Sequence, residues 1–404
     1  MLQGVCCMGG YAKDICVVGG AGHVGLPLAL AFAAADRNVI IYDLDTAAMD
    51  IISNGTMPFV EHGAEPLLEQ ALREDRLTFT AEPQQIEQAE YVIVAIGTPV
   101  DEYLNPKLRA LLDLFKGLKP HLSPSQTIII RSTVFPGTCR HVERVLDEEG
   151  DQWKIAYCPE RIAQGFAIRE LSELPQIVSG NSSETVESAA SLFTILAPEI
   201  VRLEIEEAEL AKLFSNAWRY IQFAASNQFY MLSKTVGADF NRIRDAMVRG
   251  YGRAASLPKA GFAAGPCLLK DTMQLAALNS NNFGLGHSAM MVNEGLPSFI
   301  VESLNQKYDL AGMHVGILGM AFKADVDDIR DSLSYKLGKI LRFHGAVVGY
   351  SDEFAEDPTF VSKEELLRTS QIVIVGVPHS AYHSLVVPPG LDVVDLWGIL
   401  PKQV

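Results

Sequence analysis

The chain has 404 residues, of which 48% are hydrophobic and 20% charged. That composition excludes a disordered chain or a small stapled scaffold and leaves room for two or three domains. Lys+Arg number 33 and Asp+Glu 49, a net −16; a field of that sign repels a phosphate polymer, so no nucleic acid partner is expected. A small phosphate ligand, bound locally, is not excluded. No apolar run reaches about 18 residues without a charge, so no membrane span is expected. Cys6, Cys7, Cys16, Cys139, Cys158 and Cys267 are sparse and unpaired in spacing. They read as free thiols of a cytoplasmic protein, with neither a disulfide framework nor a metal site. The opening MLQGVCCMGGYAKD lacks the basic n-region of a signal peptide.

From Asp14 to Val201, short Val- and Ile-rich runs alternate with amphipathic stretches. Ile15–Val18, Val39–Tyr42, Tyr91–Ile96, Thr127–Ile130 and Lys154–Tyr157 read as buried strands, and the alternation predicts a parallel sheet covered on both faces. No Pro or Gly occurs between Glu204 and Val236, and Leu210, Leu213, Phe214, Ala217, Ile221 and Ala224 recur at helical spacing. One long helix is predicted there, long enough to join domains and to build a dimer interface. No strand is predicted from there to Leu304. Beyond Ala311, His314–Leu318, Ala346–Tyr350, Ile372–Val377 and Leu391–Asp395 again read as strands in an α/β pattern.

The first predicted strand runs into Gly20-Ala21-Gly22-His23-Val24-Gly25, a G-x-G-x-x-G that opens a predicted helix. Asp43 ends the next strand, 18 residues after Gly25, near the offset of about 20 expected for a carboxylate on a dinucleotide ribose. One glycine makes the turn, one admits the pyrophosphate, and one lets helix and strand pack closely. The helix N-terminus faces the phosphates. The competing readings are a glycine-rich turn with no ligand, and an Asp43 that only caps a helix at Thr46 or Ala47.

In the second informative stretch, Gly261 to Asp271, a loop leads into Pro266, a good first helical residue. Cys267 then falls in the first helical turn, where the helix dipole and Lys270 favour the nucleophilic thiolate. Asp271, four residues on, shares its face. An inert buried cysteine is the competing reading. Lys212 and Asn216 share one face of the long helix, where a solvated polar stripe is the alternative. Thr133, and Pro159-Glu160-Arg161, follow predicted strands at the carboxyl ends where ligands of open α/β sheets collect.

These residues belong to an ordered series: VVGGAGHVGLPLAL from Val17, NGTMPFVEHG from Asn54, IGTPVD from Ile96, RSTVFPGT from Arg131, YCPERIAQG from Tyr157, ELAKLFSNAWRY from Glu209, GFAAGPCLLKD from Gly261, GILGMAFKADVDDIRDS from Gly316 and VPHSAY from Val377. With it, the chain resembles the nucleotide-sugar 6-dehydrogenases, the UDP-glucose and UDP-N-acetylhexosamine branch of enzymes, from about Ile15 to Trp397. The resemblance implies an α/β fold with two Rossmann-like parallel-sheet domains joined by a central all-helical domain. Their bounds would be 1–201 for NAD binding, 202–308 for dimerisation and catalytic residues, and 309–404 for the nucleotide sugar.

The resemblance further implies an oxidation taken twice. The C6 alcohol of a UDP-sugar becomes an aldehyde, is captured by Cys267, passes to a thioester and is hydrolysed to the uronic acid. Lys212 and Asn216 would stabilise the oxyanion, Asp271 and Thr133 would position water, and Glu160 would act as base or orient the sugar. Gly20, Gly22, His23, Val24, Gly25, Asp43, Thr98, Pro99, Thr133 and Arg330 would hold NAD. Glu160, Arg161, Lys212, Asn216, Arg253, Gly265 and Lys323 would meet the substrate, with Lys323 and Arg330 facing phosphates. Gly316 and Gly319 follow a strand without a full G-x-G-x-x-G, which suits a mononucleotide. Arg161 stands where the UDP-glucose branch usually has Phe, favouring a UDP-N-acetylhexosamine, with UDP-glucose as the alternative. Gln228, Ala263-Ala264 and Leu269 depart from the family pattern without removing a reacting group. A homodimer or a multiple of it is expected. A one-step hydroxy-acid dehydrogenase, which needs no cysteine, and a non-catalytic NAD-binding protein are the readings from other classes.

Overall fold

The computed structural model describes residues 10–98, 100, 101, 107–147 and 150–401. The chain divides into two compact units, 1–213 and 214–404. In the first, the strands are β1 Lys13–Val18, β2 Val39–Tyr42, β3 Leu77–Thr80, β4 Ala89–Val94, β5 Thr127–Ile130, β6 Lys154–Tyr157, β7 Gln176–Gly180 and β8 Ile200–Arg202. They form one sheet in the order β3-β2-β1-β4-β5-β6-β7-β8. The order reverses beside β1, between the strand that carries the glycine motif and β4, and such a switch point is where open α/β sheets receive ligands. The central strands are buried on both faces, which is why they read as continuous Val/Ile runs.

The five strands read from the sequence pair in parallel, as expected; β7, which that reading did not include, runs antiparallel to β6. β3, β7 and β8 were not foreseen. Leu77–Thr80 alternates Leu-Thr-Phe-Thr, β8 has only three residues, and neither makes an apolar run.

The long helix spans Ile205–Thr235, 31 residues, and begins in the first unit and ends in the second. Of the apolar residues that recur at helical spacing, Leu213, Ala217 and Ala224 are buried. Phe214 is 56% exposed and belongs to a different face.

In the second unit, β9 His314–Leu318, β10 Val347–Ser351, β11 Ile372–Val375 and β12 Asp392–Asp395 form an all-parallel sheet in the order β10-β9-β11-β12. The helices Leu268–Leu278 and Gly284–Asn305 precede it. Leu296, Ile300 and Leu304 of the latter share a core with Val315, Ile317, Leu337 and Ile374. No described helix is long and apolar enough to cross a membrane.

Candidate active site

In the first unit the turn after β1 is made by Gly19, one residue before the motif, with φ +80. Its amide donates to the Tyr42 carbonyl at 2.9 Å, tying the turn to the end of β2. A Cβ on Gly20 would lie 2.8 Å from the Val17 carbonyl, and one on Gly25 would lie 2.2 Å from that of Gly19. Both positions therefore require glycine, because no L side chain tolerates those approaches. Gly22 differs. It is exposed, and a Cβ there would meet nothing nearer than 3.6 Å, so the fold itself does not demand glycine, and the bare backbone leaves room for a ligand to approach. The helix Gly25–Ala34 starts immediately behind it. This is a cradle that fits a pyrophosphate.

Asp43, half-buried, accepts the Ala21 amide at 3.0 Å and the Asp45 amide at 3.1 Å. It does not cap the next helix. Asp45 does so, accepting the Ala48 amide. His23 packs its ring 4.0 Å from that of Phe59 and bonds Gln164 at 3.0 Å. Val24 is the N-cap of the first helix. The Thr98 hydroxyl donates to the Thr133 carbonyl at 2.6 Å, joining two loops that follow neighbouring strands. Pro99 lies outside the described residues.

Two residues overlooked in the sequence hold these loops. Arg131, fully buried, pairs with Glu160. Glu209, on the long helix, is 0% exposed and accepts the Gly137 and Cys139 amides at 2.6 and 2.9 Å. A carboxylate there satisfies orphan amides at the start of the helix Thr138–Leu146 and meets its positive end. Both residues stand within the quoted motifs, yet nothing in the sequence indicates their partners. The Arg161 guanidinium donates to the Pro175 carbonyl. Lys212 is buried, one turn before Asn216.

In the second unit Cys267 is exposed, whereas the other described cysteines, Cys16, Cys139 and Cys158, are buried. Burial pushes those three thiols up, Cys158 to about 12, which leaves them inert. Pro266 does not open the helix. The helix begins at Leu268 with Cys267 as its N-cap residue, so the thiol stands at the helix head and outside its first turn. Asp271 is buried and does not share the exposure of Cys267. It accepts from the Asn216 amide nitrogen at 2.6 Å, and Lys270 lies 3.6 Å from its other oxygen. The pairing within the unit is thus Asn216 with Asp271, 55 residues apart. Asn216 has a second N–H to offer a ligand.

The loop before Cys267 is fixed at both ends. Asn227 and Gly261 exchange hydrogen bonds of 3.0 and 2.8 Å. Gly265 has φ +96, and a Cβ there would lie 2.4 Å from the Phe322 ring. Arg330 is gripped by Asp328, whose hydrogen bonds raise its pKa, and Cys267 adds to that field. Lys323 is half-buried in the loop after β9. Arg253 is exposed in the short turn Gly252–Ala254, 5.9 Å over the Tyr251 ring.

The two sheets share a turn but not a use for it. Gly319, φ +90, donates to the Ser351 carbonyl at 2.8 Å, as Gly19 does to Tyr42, and Asp352 follows β10 as Asp43 follows β2. Asp352, however, is enclosed. It accepts the amides of Met320, Ala321, Phe354 and Ala355, and His379 Nε2 lies 3.1 Å away. Burial raises its pKa, but the His379 bond and the amides of Ala355 and Phe354 outweigh that and hold it at about 2. No lone pair is left for a ribose, so the dinucleotide reading belongs to the first sheet alone.

A glycine cradle with an accessible acid after the next strand is the arrangement that a dinucleotide-dependent dehydrogenase uses. Family profiles agree along the chain. The NAD binding domain of the UDP-glucose/GDP-mannose dehydrogenase family matches residues 13–197, its central domain 206–294 and its UDP binding domain 316–401. The chain belongs to this family of NAD-dependent nucleotide-sugar dehydrogenases. It is 27% identical over 381 residues to a UDP-N-acetyl-D-mannosamine dehydrogenase of Methanocaldococcus jannaschii, covering 92% of this chain and 87% of that protein. The UDP-glucose 6-dehydrogenase TuaD of Bacillus subtilis is 27% identical over 355 residues, covering 85% and 76%. A solved UDP-glucose dehydrogenase of Pyrobaculum islandicum superposes with a TM-score of 0.88 at 25% identity, covering 98% of this chain and 96% of that one.

Proposed function

We propose that the chain oxidises the C6 alcohol of a UDP-N-acetylhexosamine, of the ManNAc or GlcNAc type, to the uronic acid, with Cys267 holding the sugar between two oxidations. The observation that carries the reading is the exposed Cys267 at a helix head while the other described cysteines are buried. The N-acetylhexosamine assignment rests on Arg161 and on the mannosamine enzymes among the relatives. NAD, when bound, is the electron acceptor for both oxidations. Gly20, Gly22, Val24 and Gly25 hold its pyrophosphate, Asp43 its adenosine ribose, and His23, Thr98 and Thr133 serve the rest; Pro99, from the sequence alone, and Arg330 are assigned to NAD as well. Exposed Leu44 offers apolar surface for the adenine.

The chain's own steps follow from its groups. The Cys267 thiolate adds to the C6 aldehyde, forming a C–S bond and placing charge on oxygen. Lys212 and the free N–H of Asn216 stabilise that oxyanion. After oxidation to the thioester, water adds at C6, the C–S bond breaks and the thiolate departs. Asp271 and Thr133 position the water. Glu160, whose oxygens already accept two amides and face Arg131, orients the sugar. Arg161, Arg253, Gly265 and Lys323 complete the substrate contacts. The assignment divides the chain into 1–201, 202–308 and 309–404 for cofactor, catalysis and nucleotide sugar. The same proposal places the protein in a reducing cytosol, which the sparse, irregularly spaced cysteines suit. Incubated with NAD and a panel of nucleotide sugars, the protein should reduce NAD with a UDP-N-acetylhexosamine. Reduction with UDP-glucose alone would move the assignment to that branch, and reduction with none would remove it.

The homodimer belongs to the same proposal. Phe214, Trp218, Phe229 and Leu232 are 56, 59, 43 and 56% exposed and recur at helical spacing along the long helix. An apolar stripe of that length invites a partner. Light scattering at micromolar concentration should give a dimer or a multiple of it, and Trp218→Glu should shift it toward monomer. A monodisperse wild-type monomer would refute the assignment.

A further inference from the structure

Glu160 is enclosed by its own chain. One carboxylate oxygen accepts the amides of Arg161 and Ile162 at 2.6 and 2.7 Å. The other meets the guanidinium of Arg131. Arg131 follows β5 and is 1% exposed. It also donates to the Cys158 carbonyl at 3.2 Å and the Gln176 side-chain oxygen at 3.0 Å, and lies 4.9 Å over the Phe193 ring. Gln176 in turn donates to the Pro159 carbonyl at 3.3 Å. The void among these residues measures about 10 Å³, at most one water molecule, so no sugar enters behind Glu160. Removing either charge strands the other in a low-dielectric interior, so the pair persists only as a unit. What the unit does geometrically is join the end of β5 to the turn after β6, two neighbouring strand ends at the ligand side of the sheet.

We infer that Arg131 is a positioning residue for the turn 159–162. It does not touch the sugar and acts on it through Glu160 and the backbone of Arg161 and Ile162. The inference rests on the reading of that turn as sugar-facing.

A double-mutant cycle tests it, with the nucleotide sugar that the wild type oxidises best. Arg131→Met should raise the KM for the sugar by about tenfold or more, since a small misplacement of a binding turn is costly. The KM for NAD should rise clearly less than that for the sugar, because the glycine turn and Asp43 are built from β1 and β2 and only Thr133 among the cofactor residues follows β5. In a Glu160→Gln background the same Arg131→Met change should cost less than about twofold further, as coupled residues do. Arg131→Lys should recover part of the loss, keeping the charge without the planar fork. Should either single variant fail to fold, since each strands a buried charge, the double variant, which removes both, is compared with the wild type, and its rise in KM should again fall on the sugar rather than on NAD. Additive losses in the cycle, or an equal rise in the KM for NAD, would overturn the inference while leaving the function intact. A wild type that oxidises no UDP-sugar would overturn the reading of the turn and the inference with it.

Discussion

Replacing Cys267 by serine should lower uronic acid production by about three orders of magnitude or more while leaving the protein folded. The side chain is exposed at the N-cap of its helix. A serine hydroxyl fits there and is itself a favoured cap, so no core is disturbed. The chemical loss is large because an alcohol is far less acidic than a thiol and is mostly uncharged at neutral pH. An oxygen ester also yields its acyl group to water less readily than a thioester. The first oxidation needs no covalent bond, so the variant should still reduce some NAD and accumulate aldehyde or a slow adduct. Circular dichroism and a thermal melt should match the wild type. Near-normal uronic acid from the variant would show that the nucleophile lies elsewhere.

A preference for NAD over NADP of at least about a hundredfold in kcat/KM, about 2.7 kcal/mol, is the second large effect. Asp43 stands at the end of β2 with no cation beside it in sequence; Leu44, Asp45 and Thr46 follow. A 2′-phosphate would meet a like charge at close range. Arg37 lies six residues earlier, about 20 Å away along an extended strand, beside Asp14. Arg76 precedes β3 at the same far end and is bonded to Asp36. Both are beyond a Debye length. Asp43→Asn separates the two duties of the residue. The amide oxygen can still accept the Ala21 N–H, so the glycine turn survives while the charge is gone. Asp43→Ala loses both. If the carboxylate reads the ribose, Asn should weaken NAD and narrow the preference, and Ala should weaken both cofactors further. An unchanged preference in both variants would mean that Asp43 serves only the turn.

The features legible in the sequence are those set by local pattern. Buried central strands give Val/Ile runs, and β2, β5 and β6 fall at the expected residues. A stretch without Pro or Gly gives the helix Ile205–Thr235. The glycine motif and Asp43 are contained in one βαβ unit, so spacing alone reveals them. Features set by tertiary contact were not legible. Edge strands such as Leu77–Thr80 and Ile200–Arg202 have little apolar surface and exist because a neighbouring strand is there to pair. Arg131 and Glu160 are 29 residues apart (160 minus 131), and Asn216 and Asp271 are 55 apart. Each looks like an ordinary polar residue until the fold buries it beside its partner. The cysteine was legible as chemistry, but the helix starts two residues later than read, at Leu268 rather than Pro266, which makes Cys267 its N-cap. Which apolar residues of the long helix pack inside the chain was not legible either, because they lie on more than one face, and periodicity alone does not divide buried Leu213 from exposed Phe214.

The central claim is that one carbon is oxidised twice, with Cys267 retaining the sugar in between. The most direct test is the ratio of NADH formed to uronic acid released at complete conversion of a limiting UDP-N-acetylhexosamine. NADH is read by absorbance and the acid by chromatography. The account predicts a ratio of two with no free aldehyde. A ratio of one, with aldehyde as the released product, would contradict it.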